Sequence, residues 1–313
     1  MRRVKSVNCE AIIKGDVNET DKASKYMKQH PRKWMNDKEL SKFAQNCTAL
    51  KERGYITDGI TQEELDFPLA FSILMYKQAV QAEILLRVLY RPQNVYCIHL
   101  DLKTSDDTYK AMESISNCFP NVFLVKKREE IIYASITRLQ AELNCMKESL
   151  ETPVDWKYYM NYASTMFPLK TNLEMVKILK IYNGTNDING MPPIKSRYNH
   201  SFKYVGSKNK RLARTKNLKD GPPEGLNITK GSIYAIFTRD FCKFMLDDPL
   251  AKKLLAWSND TYSPDEHFAS TLHHVGRNLE VLGKKQVPGS YSGKLFSIRT
   301  YRTGHKHEFH ANL

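Results

Sequence analysis

The sequence predicts an α/β fold in which helices flank a mostly parallel sheet. Short apolar runs that are typical of buried strands alternate with segments of helical periodicity. Hydrophobic residues make up 41% of the 313 positions and no tract is of low complexity, so the chain can bury a large core. Strands that alternate with helices pair in parallel through right-handed crossovers, and such sheets bind ligands beyond the carboxyl ends of their strands. A ligand site is therefore expected at that edge.

The predicted elements follow one another from residue 67 onward. Apolar runs predict strands at Phe67–Met75, Val95–Leu100, Val122–Val125, Trp156–Ala163 and Ser232–Thr238. Helical periodicity predicts helices at Ala79–Tyr90, Ser105–Cys118, Ser135–Leu150, Thr171–Tyr182, Arg239–Leu246 and Pro249–Trp257.

Composition divides the chain into three parts. Residues 1–66 are polar, with short helical patterns at Lys22–Lys28 and Asp37–Phe43, and are interpreted as a stem. Residues 67–282 form the predicted domain, within which 183–230 is expected to be a long surface excursion because it is rich in Gly, Pro, Lys and Asn. Residues 283–313 form a basic tail without a clean period.

The chain is strongly basic. Lys and Arg number 48 against 34 acidic residues, for a formal charge of +14, which favours an anionic partner such as a nucleotide-sugar diphosphate. The densest run comprises Lys208, Lys210, Arg211, Arg214, Lys216 and Lys219. A solvated basic loop is the preferred interpretation of this run over a binding patch. Because no zinc-finger spacing, RNA-binding aromatic signature or basic-zipper pattern accompanies it, nucleic acid is not expected as a partner.

Cysteines and glycosylation motifs point to the secretory pathway. The six cysteines include no C-x-x-C pair, so disulfides are favoured over a metal site. Acceptor motifs for N-glycosylation occur at Asn18, Asn46, Asn183, Asn199, Asn227 and Asn259. The first 60 residues contain no signal peptide or membrane span, so a targeting signal for secretion is expected to lie outside this chain.

The sharpest local motif is TYSPDE, which covers 261–266. Ser263 is a natural N-cap, Pro264 suits the first helical position, and acidic residues favour the first turn, so helix capping explains Asp265 and Glu266 structurally. The functional alternative makes Glu266 a general base. Spacing leaves both interpretations open.

An acidic residue also closes a predicted strand. Asp101 either caps the next element or binds a ribose hydroxyl at the rim of the sheet. His99, inside the same strand, is interpreted as a core histidine, and His305, His307 and His310 in the tail are not expected to bind metal. No Asp-x-Asp tripeptide occurs, so in a nucleotide-sugar transferase basic side chains would have to balance the diphosphate.

A series of segments resembles the core 2 β-1,6-N-acetylglucosaminyltransferases of glycosyltransferase family 14. It extends from about Asn8 to about Leu272 in a single order. The segments are VNCEAIIKGDVNE, FPLAFSI, RPQNVYCIHLD, NCFPNVFL, IIYASITRLQAELNCMK, FPLKTNLE, MPPIK, GSIYAIFTRDF and DTYSPDEHFASTL.

The resemblance implies a GT-A-like fold, UDP-N-acetylglucosamine as the donor and no required metal. It implies that Glu266 is the catalytic base of an inverting transfer to the 6-hydroxyl of N-acetylgalactosamine in core 1 O-glycans on glycoproteins. Residues matching the donor side are Asp101, Tyr133 and Arg138. Residues matching the acceptor side are Asp187, where the family usually has Glu, Lys195, and Arg197, which is displaced by one position. The implied location is the Golgi lumen, with a type II membrane anchor in a longer form and not in this chain.

The resemblance also implies two disulfides, Cys47–Cys118 and Cys97–Cys145. Cys9 matches a cysteine whose partner near the family's C-terminus is absent here, and Cys242 has no assigned partner.

Two departures from the family pattern are expected to weaken turnover. Ser164, Thr165 and Met166 stand where the family usually has Gly-x-Asp, and Met cannot accept hydrogen bonds as a carboxylate does. Residues after Gly289 do not match the family's further section, which carries the Arg and Lys that neutralise the donor diphosphate. The chain is therefore expected to be a C-terminally truncated member with low or no activity, and the alternative is a non-catalytic member that binds glycan or a partner protein.

Overall fold

The computed structural model describes residues 6–31, 34–191, 200–206, 211–279 and 300–302. Two compact units divide the chain, Met1–Asn36 and Asp37–Leu313. The first contains helices α1 (Cys9–Ile13) and α2 (Val17–Gln29). The side chain of Asn8 accepts hydrogen bonds from the first backbone N–H groups of α1, and that of Asp16 caps α2 in the same way.

The second unit begins well before the predicted domain. Its first helices are α3 (Asp37–Ala44), α4 (Cys47–Lys51) and α5 (Gln62–Leu65), and Leu40 and Leu50 are fully buried. Asp37 bonds to two later parts of the unit: Oδ1 accepts from the backbone N of Ala79 at 3.0 Å and Oδ2 from the hydroxyl of Thr108 at 2.5 Å. Residues 37–66 therefore belong to the compact unit, in contrast to the predicted stem of residues 1–66.

The strands, in chain order, are β1 (Leu69–Met75), β2 (Val95–Leu100), β3 (Val122–Leu124), β4 (Tyr158–Ala163), β5 (Met166–Pro168), β6 (Phe202–Gly206), β7 (Leu212–Leu218), β8 (Ile236–Thr238) and β9 (Thr300–Arg302). The remaining α-helices are α6 (Ala79–Leu89), α7 (Asp106–Ser116), α8 (Ile136–Leu150), α9 (Asn172–Tyr182), α10 (Arg239–Asp247), α11 (Pro249–Ser258) and α12 (Phe268–Leu279). Short 3₁₀ turns cover Pro223–Gly225 and Pro264–Glu266.

The central sheet has the order β3-β2-β1-β4-β8. β1 pairs in parallel with β2 and β4, β2 pairs in parallel with β3, and β8 pairs antiparallel with β4. Every residue of β1 and β2 is buried, as expected for central parallel strands covered on both faces. The predicted α/β fold with a mostly parallel sheet flanked by helices is confirmed.

One large apolar cluster packs helices α10, α11 and α12 against α8 and the sheet. Leu139, Leu143 and Met146 of α8 pack with side chains of α10, α11 and α12, among them Phe241 and Phe268. Because α12 follows the Pro264–Glu266 turn directly, this packing places the turn beside α8.

The expected surface excursion at 183–230 contains regular structure. β6 and β7 pair antiparallel into a two-stranded sheet, here called the basic ribbon. Its side chains are exposed or half-buried on both faces, which explains why no hydrophobic pattern predicts it.

Two disulfides hold the second unit. Cys47–Cys118 joins α4 to the residues after α7, and Cys97–Cys145 joins β2 to α8, with Cα–Cα distances of 5.1 Å and 5.6 Å. These are the two pairs that the family resemblance implies. Cys9 is exposed and Cys242 is buried, and neither forms a disulfide within the described residues.

The glycosylation motifs lie at the surface where the structure describes them. Asn18, Asn46, Asn183, Asn227 and Asn259 are all exposed, and Asn199 lies outside the described residues. None of the helices described is both long enough and apolar enough to span a bilayer.

Candidate active site

The TYSPDE motif forms a tight turn rather than a capped α-helix. Ser263 occupies the N-cap position, and Pro264, Asp265 and Glu266 form the first turn, as the capping interpretation expects. The φ of Ser263 is nevertheless +48°, and its side chain makes no capping hydrogen bond. Its backbone N–H donates instead to the carbonyl oxygen of Ala134 at 2.8 Å, and Ala134 itself has a φ of +61°. Non-glycine residues in this left-handed region each cost about 1 to 2 kcal/mol and concentrate at functional sites. Backbone strain therefore collects where the segment before α8 meets the turn.

An ion pair connects α8 to this turn. Nε of Arg138 lies 2.8 Å from Oδ2 of Asp265. Burial raises the pKa of Asp265 to about 6, although the charge of Arg138 opposes this shift. Arg138, predicted to bind the donor, is thus engaged with the residue next to Glu266.

Glu266 stands at the end of the turn with a partly accessible side chain, 24% exposed. Its Oε2 lies 3.9 Å from Nζ of Lys230, and its backbone oxygen accepts from the N–H of Gly231 at 2.6 Å. A Cβ at position 231 would lie only 2.7 Å from the backbone oxygen of Asn189, so this close approach requires glycine. A half-exposed carboxylate beside a cation can reach a reacting hydroxyl and accept its proton. Lys230 carried no signal in the sequence.

A small cavity of about 30 Å³ lies beneath the turn. Its polar lining comes from Arg138, Glu142, Asn161 and Asp265 together with Ser232, whereas Glu266 does not line it. Oδ1 of Asp265 is buried there without a hydrogen-bond partner in the part of the chain that the structure describes. The rest of the lining is apolar, and a space of this size is too small for a sugar.

A buried polar cluster fixes α8 under the site. The carboxylate of Glu142 accepts from the hydroxyls of Ser72 and Tyr159, each at 2.6 Å, and burial raises its pKa. Asn161 donates to the carbonyl oxygen of Ile233 at 2.6 Å and thereby ties β4 to the residues before β8. Glu142 was not predicted as a functional residue, although its position three residues after Leu139 puts it on the apolar face of the helix.

Asp101 joins the end of β2 to the segment before α8. Its carboxylate accepts from the backbone N and Nζ of Lys103, at 2.9 and 3.0 Å, and from the N–H of Ile131 at 3.3 Å. Tyr133, which is 77% exposed, follows in the same segment. Asp101 is thus bonded to the segment that carries Tyr133 and leads to Arg138 in α8. Contact of these three residues with a donor stays a prediction.

His99 is a core histidine, as interpreted from the sequence. It is fully buried, and Nε2 accepts the N–H of Glu129 at 2.9 Å. Burial lowers its pKa to about 4, which keeps the ring neutral at physiological pH.

The predicted acceptor residues are only partly described. Asp187 pairs with Ile236 on the outer side of β8 through two backbone hydrogen bonds, and its carboxylate accepts from the hydroxyl of Tyr182 at 3.3 Å. Lys195 and Arg197 lie outside the described residues. Their predicted roles, like that of Asp187, stay predictions.

Met166 lies at the rim of the sheet, where the sequence departs from the family pattern. Met166 is buried, and its sulfur accepts the N–H of Ala163 at 3.2 Å. An apolar side chain thus packs inward at this position. The backbone of β9 pairs beside it, with Arg302 opposite Met166.

Within the described ranges, no group of three or more His, Cys, Asp or Glu side chains is arranged to hold a metal ion.

Comparisons with solved structures give only weak overall likeness. Mouse xyloside xylosyltransferase 1 in its apo form is 13% identical, with a TM-score of 0.34, and the match covers 66% of this chain and 82% of that one. A 4-diphosphocytidyl-2C-methyl-D-erythritol synthase from Anaerococcus prevotii is 10% identical, with a TM-score of 0.30, covering 64% and 87%.

Sequence comparisons are far more specific. The β-1,3-galactosyl-O-glycosyl-glycoprotein β-1,6-N-acetylglucosaminyltransferase of bovine herpesvirus 4 is 38% identical over 276 residues, and transferase 3 of this name from Bos taurus is 38% identical over 274 residues. Each match covers 87% of this chain, and the chain spans 62% of the length of these relatives. The model of the Core-2/I-Branching enzyme family matches residues 69–290, which includes the sheet, Arg138 and the Glu266 turn. The chain therefore belongs to the Core-2/I-Branching enzyme family.

Proposed function

We propose that the chain transfers N-acetylglucosamine from UDP-N-acetylglucosamine in β-1,6 linkage to N-acetylgalactosamine of core 1 O-glycans. Family membership and the names of the relatives support the reaction class. The observation that carries the proposal is the partly exposed carboxylate of Glu266, held beside Lys230 at a strained turn that Arg138 fastens to α8.

Glu266 acts as the general base of a single displacement. It takes the proton of the acceptor's 6-hydroxyl while that oxygen forms a bond to the anomeric carbon of N-acetylglucosamine. The bond from this carbon to the phosphate oxygen breaks on the opposite face, and its electron pair leaves with UDP. The α-linked donor thereby gives a β-linked product. Lys230 restricts the orientation of the carboxylate.

The donor binds at the carboxyl edge of the sheet. Asp101 lies there and bonds to the segment that carries Tyr133, at the edge where parallel sheets generally bind ligands. The diphosphate is balanced by basic side chains and not by a metal ion, a proposal supported by the family resemblance and the net charge of +14.

The reaction takes place in the lumen of the secretory pathway, in the Golgi. Two disulfides and five exposed glycosylation motifs support an oxidising compartment with N-glycosylation. Chain made in the cytosol should therefore carry free thiols at these positions and be less stable than secreted chain.

Transfer to a core 1 disaccharide, with and without a metal chelator, tests the proposed reaction. Replacing Glu266 by Gln should lower kcat at least about 100-fold, because a general base contributes about 10²- to 10⁴-fold. Glu113→Gln, at an exposed glutamate of α7, is the matched control and should keep wild-type activity. The chelator should have no effect.

Three results would contradict parts of the proposal. Full activity of Glu266→Gln removes this residue from its role. Loss of activity with the chelator, restored by a divalent cation, overturns the metal-independent binding of the diphosphate. Disaccharide binding without any transfer identifies a non-catalytic family member.

A further inference from the structure

The basic ribbon lies beside the candidate active site. The backbone N of Tyr204 donates to the carbonyl oxygen of Asp260 at 2.8 Å, and the rings of Tyr204 and Tyr262 are 5.5 Å apart. Tyr262 immediately precedes the strained turn of the catalytic carboxylate. At the other end of β6, a Cβ at Gly206 would lie 3.7 Å from Ile132, next to Tyr133. The ribbon therefore reaches from the catalytic turn to the predicted donor segment.

The root of the ribbon is firmly attached. Nζ of Lys219 donates to the carbonyl oxygen of Trp257 at 2.5 Å, pairs with Asp260 and lies 4.5 Å from the centroid of the Trp257 ring. Lys203 lies 3.8 Å from the same carboxylate. Asp260 thus neutralises part of the charge at the root, and the ribbon is not a loose loop.

The outer part of the ribbon keeps its positive charge. No acidic residue occurs between His200 and Lys219 in the sequence. Arg214 and Lys216 are exposed, and no carboxylate of the described residues lies within ion-pair distance of either. Arg214 is held over the ring of Phe202 at 5.0 Å and stands opposite Tyr204 in the register. Its charge is therefore on the ribbon face that contacts the catalytic segment.

The spacing of these charges fits an extended polypeptide. Arg214 and Lys216 are two residues apart on β7, beside a register shift of the ribbon, so their Cα atoms are at most about 7 Å apart. Side chains at alternate positions of an extended peptide repeat at the same distance. The core 1 disaccharide is uncharged, so it has no group that could form an ion pair with either residue.

We propose that the basic ribbon binds an acidic segment of the acceptor polypeptide, next to the glycosylated Ser or Thr. This inference rests on the proposed function, since it assigns the acceptor class of the same site. Aspartates or glutamates flanking the glycan lie along β7 while the disaccharide reaches Glu266. The ribbon would then select among glycoproteins that carry the same glycan.

Two synthetic glycopeptides with the same core 1 disaccharide test the proposal. One carries Asp and Glu at alternating flanking positions and the other carries Asn and Gln. The acidic glycopeptide should have about tenfold higher kcat/KM at low salt, because two exposed ion pairs contribute modestly, and the preference should shrink as salt screens them. The double variant Arg214→Gln/Lys216→Gln should lose the preference while keeping its activity toward the neutral glycopeptide. Lys110→Gln/Lys147→Gln, at exposed lysines of α7 and α8, should keep the preference.

Equilibrium binding of the two labelled glycopeptides separates this inference from the proposed reaction. If the wild-type chain prefers the acidic peptide and the ribbon variant does not, the ribbon's role is supported, whether or not sugar is transferred. Absence of transfer overturns only the proposed reaction. Equal binding of both peptides by the wild-type chain overturns the inference. The inference is also overturned if the ribbon increases binding only of a neutral peptide that carries a sialylated disaccharide. The same holds if the ribbon increases binding only to phosphatidylserine vesicles.

Discussion

The two neighbours of Glu266 in the sequence determine how far its side chain is exposed. Asp265 points inward and pairs with Arg138, and His267 is also buried, with Nε2 3.2 Å from the hydroxyl of Ser258. Because both neighbours are held in the protein, the turn leaves the carboxylate between them partly exposed. The position of Glu266 therefore depends on residues that need not touch the substrate.

The buried ring of His267 makes this turn sensitive to acid. Burial lowers its pKa to about 3, whereas an unfolded histidine titrates near 6.5. The folded state excludes a proton that the unfolded state binds, so the stability that the neutral ring contributes is present above about pH 6.5 and is lost as pH falls toward 3. Between pH 7 and pH 5 the wild-type chain should lose about 2 kcal/mol through this residue.

Urea unfolding at both pH values measures this loss. His267→Gln should have a free energy of unfolding that falls by about 2 kcal/mol less than that of the wild-type chain over this interval. His30→Gln, at an exposed histidine, should follow the wild-type chain. An identical pH dependence in all three chains would show that His267 titrates normally in the folded state.

At the scale of elements, α3 acts as a connector between two later helices. Oδ1 of Asp37 caps α6 through the N–H of Ala79, where Gln78, in the left-handed conformation, supplies no cap of its own. Oδ2 accepts from Thr108 in the first turn of α7. One carboxylate thus fixes two helix N-termini and complements their dipoles.

Replacing Asp37 by Ala should lower the free energy of unfolding by about 2 kcal/mol, since both a helix cap and a partly buried hydrogen bond are lost. Asp58→Ala, at an exposed aspartate before α5, should change it by less than about 0.5 kcal/mol. Denaturant titration of both variants is the measurement. Equal stabilities would mean that α3 contributes little to the compact unit.

For the whole molecule, the two disulfides restrict most of the first half of the second unit. They join residues 71 and 48 positions apart in the sequence. Each closed loop of this length stabilises the folded chain by about 4 kcal/mol in the loop-entropy model. Together the two contributions are comparable to the usual stability of a domain.

Opening the bridges should therefore strongly destabilise the chain. Cys47→Ser/Cys118→Ser should lower the free energy of unfolding by about 2 to 5 kcal/mol, and a reductant should lower that of the wild-type chain further. Cys9→Ser, at an exposed cysteine outside both bridges, is the control. Unchanged unfolding in reductant would contradict both this contribution and the proposed oxidising location.

The parallel part of the sheet was predictable because its strands are buried on both faces and so appear as continuous apolar runs. The antiparallel direction of β8 was not, since periodicity does not encode strand direction. Glu266 could be singled out from its motif, but the sequence could not choose between cap and base. The left-handed conformation of Ser263 and the ion pair of Asp265 with Arg138, more than 120 positions away, are features that residue type alone does not reveal.

The buried hydrogen bonds between Glu142 and two hydroxyl groups should constrain how these positions evolve. The hydroxyl groups of Ser72 and Tyr159 both donate to the buried carboxylate of Glu142. Loss of any one of these three side chains leaves a buried polar group without its partner and lowers stability. Replacement of all three by apolar residues need not lower it. Among related chains these three positions should consequently covary, with the acid and both hydroxyls retained or abandoned together.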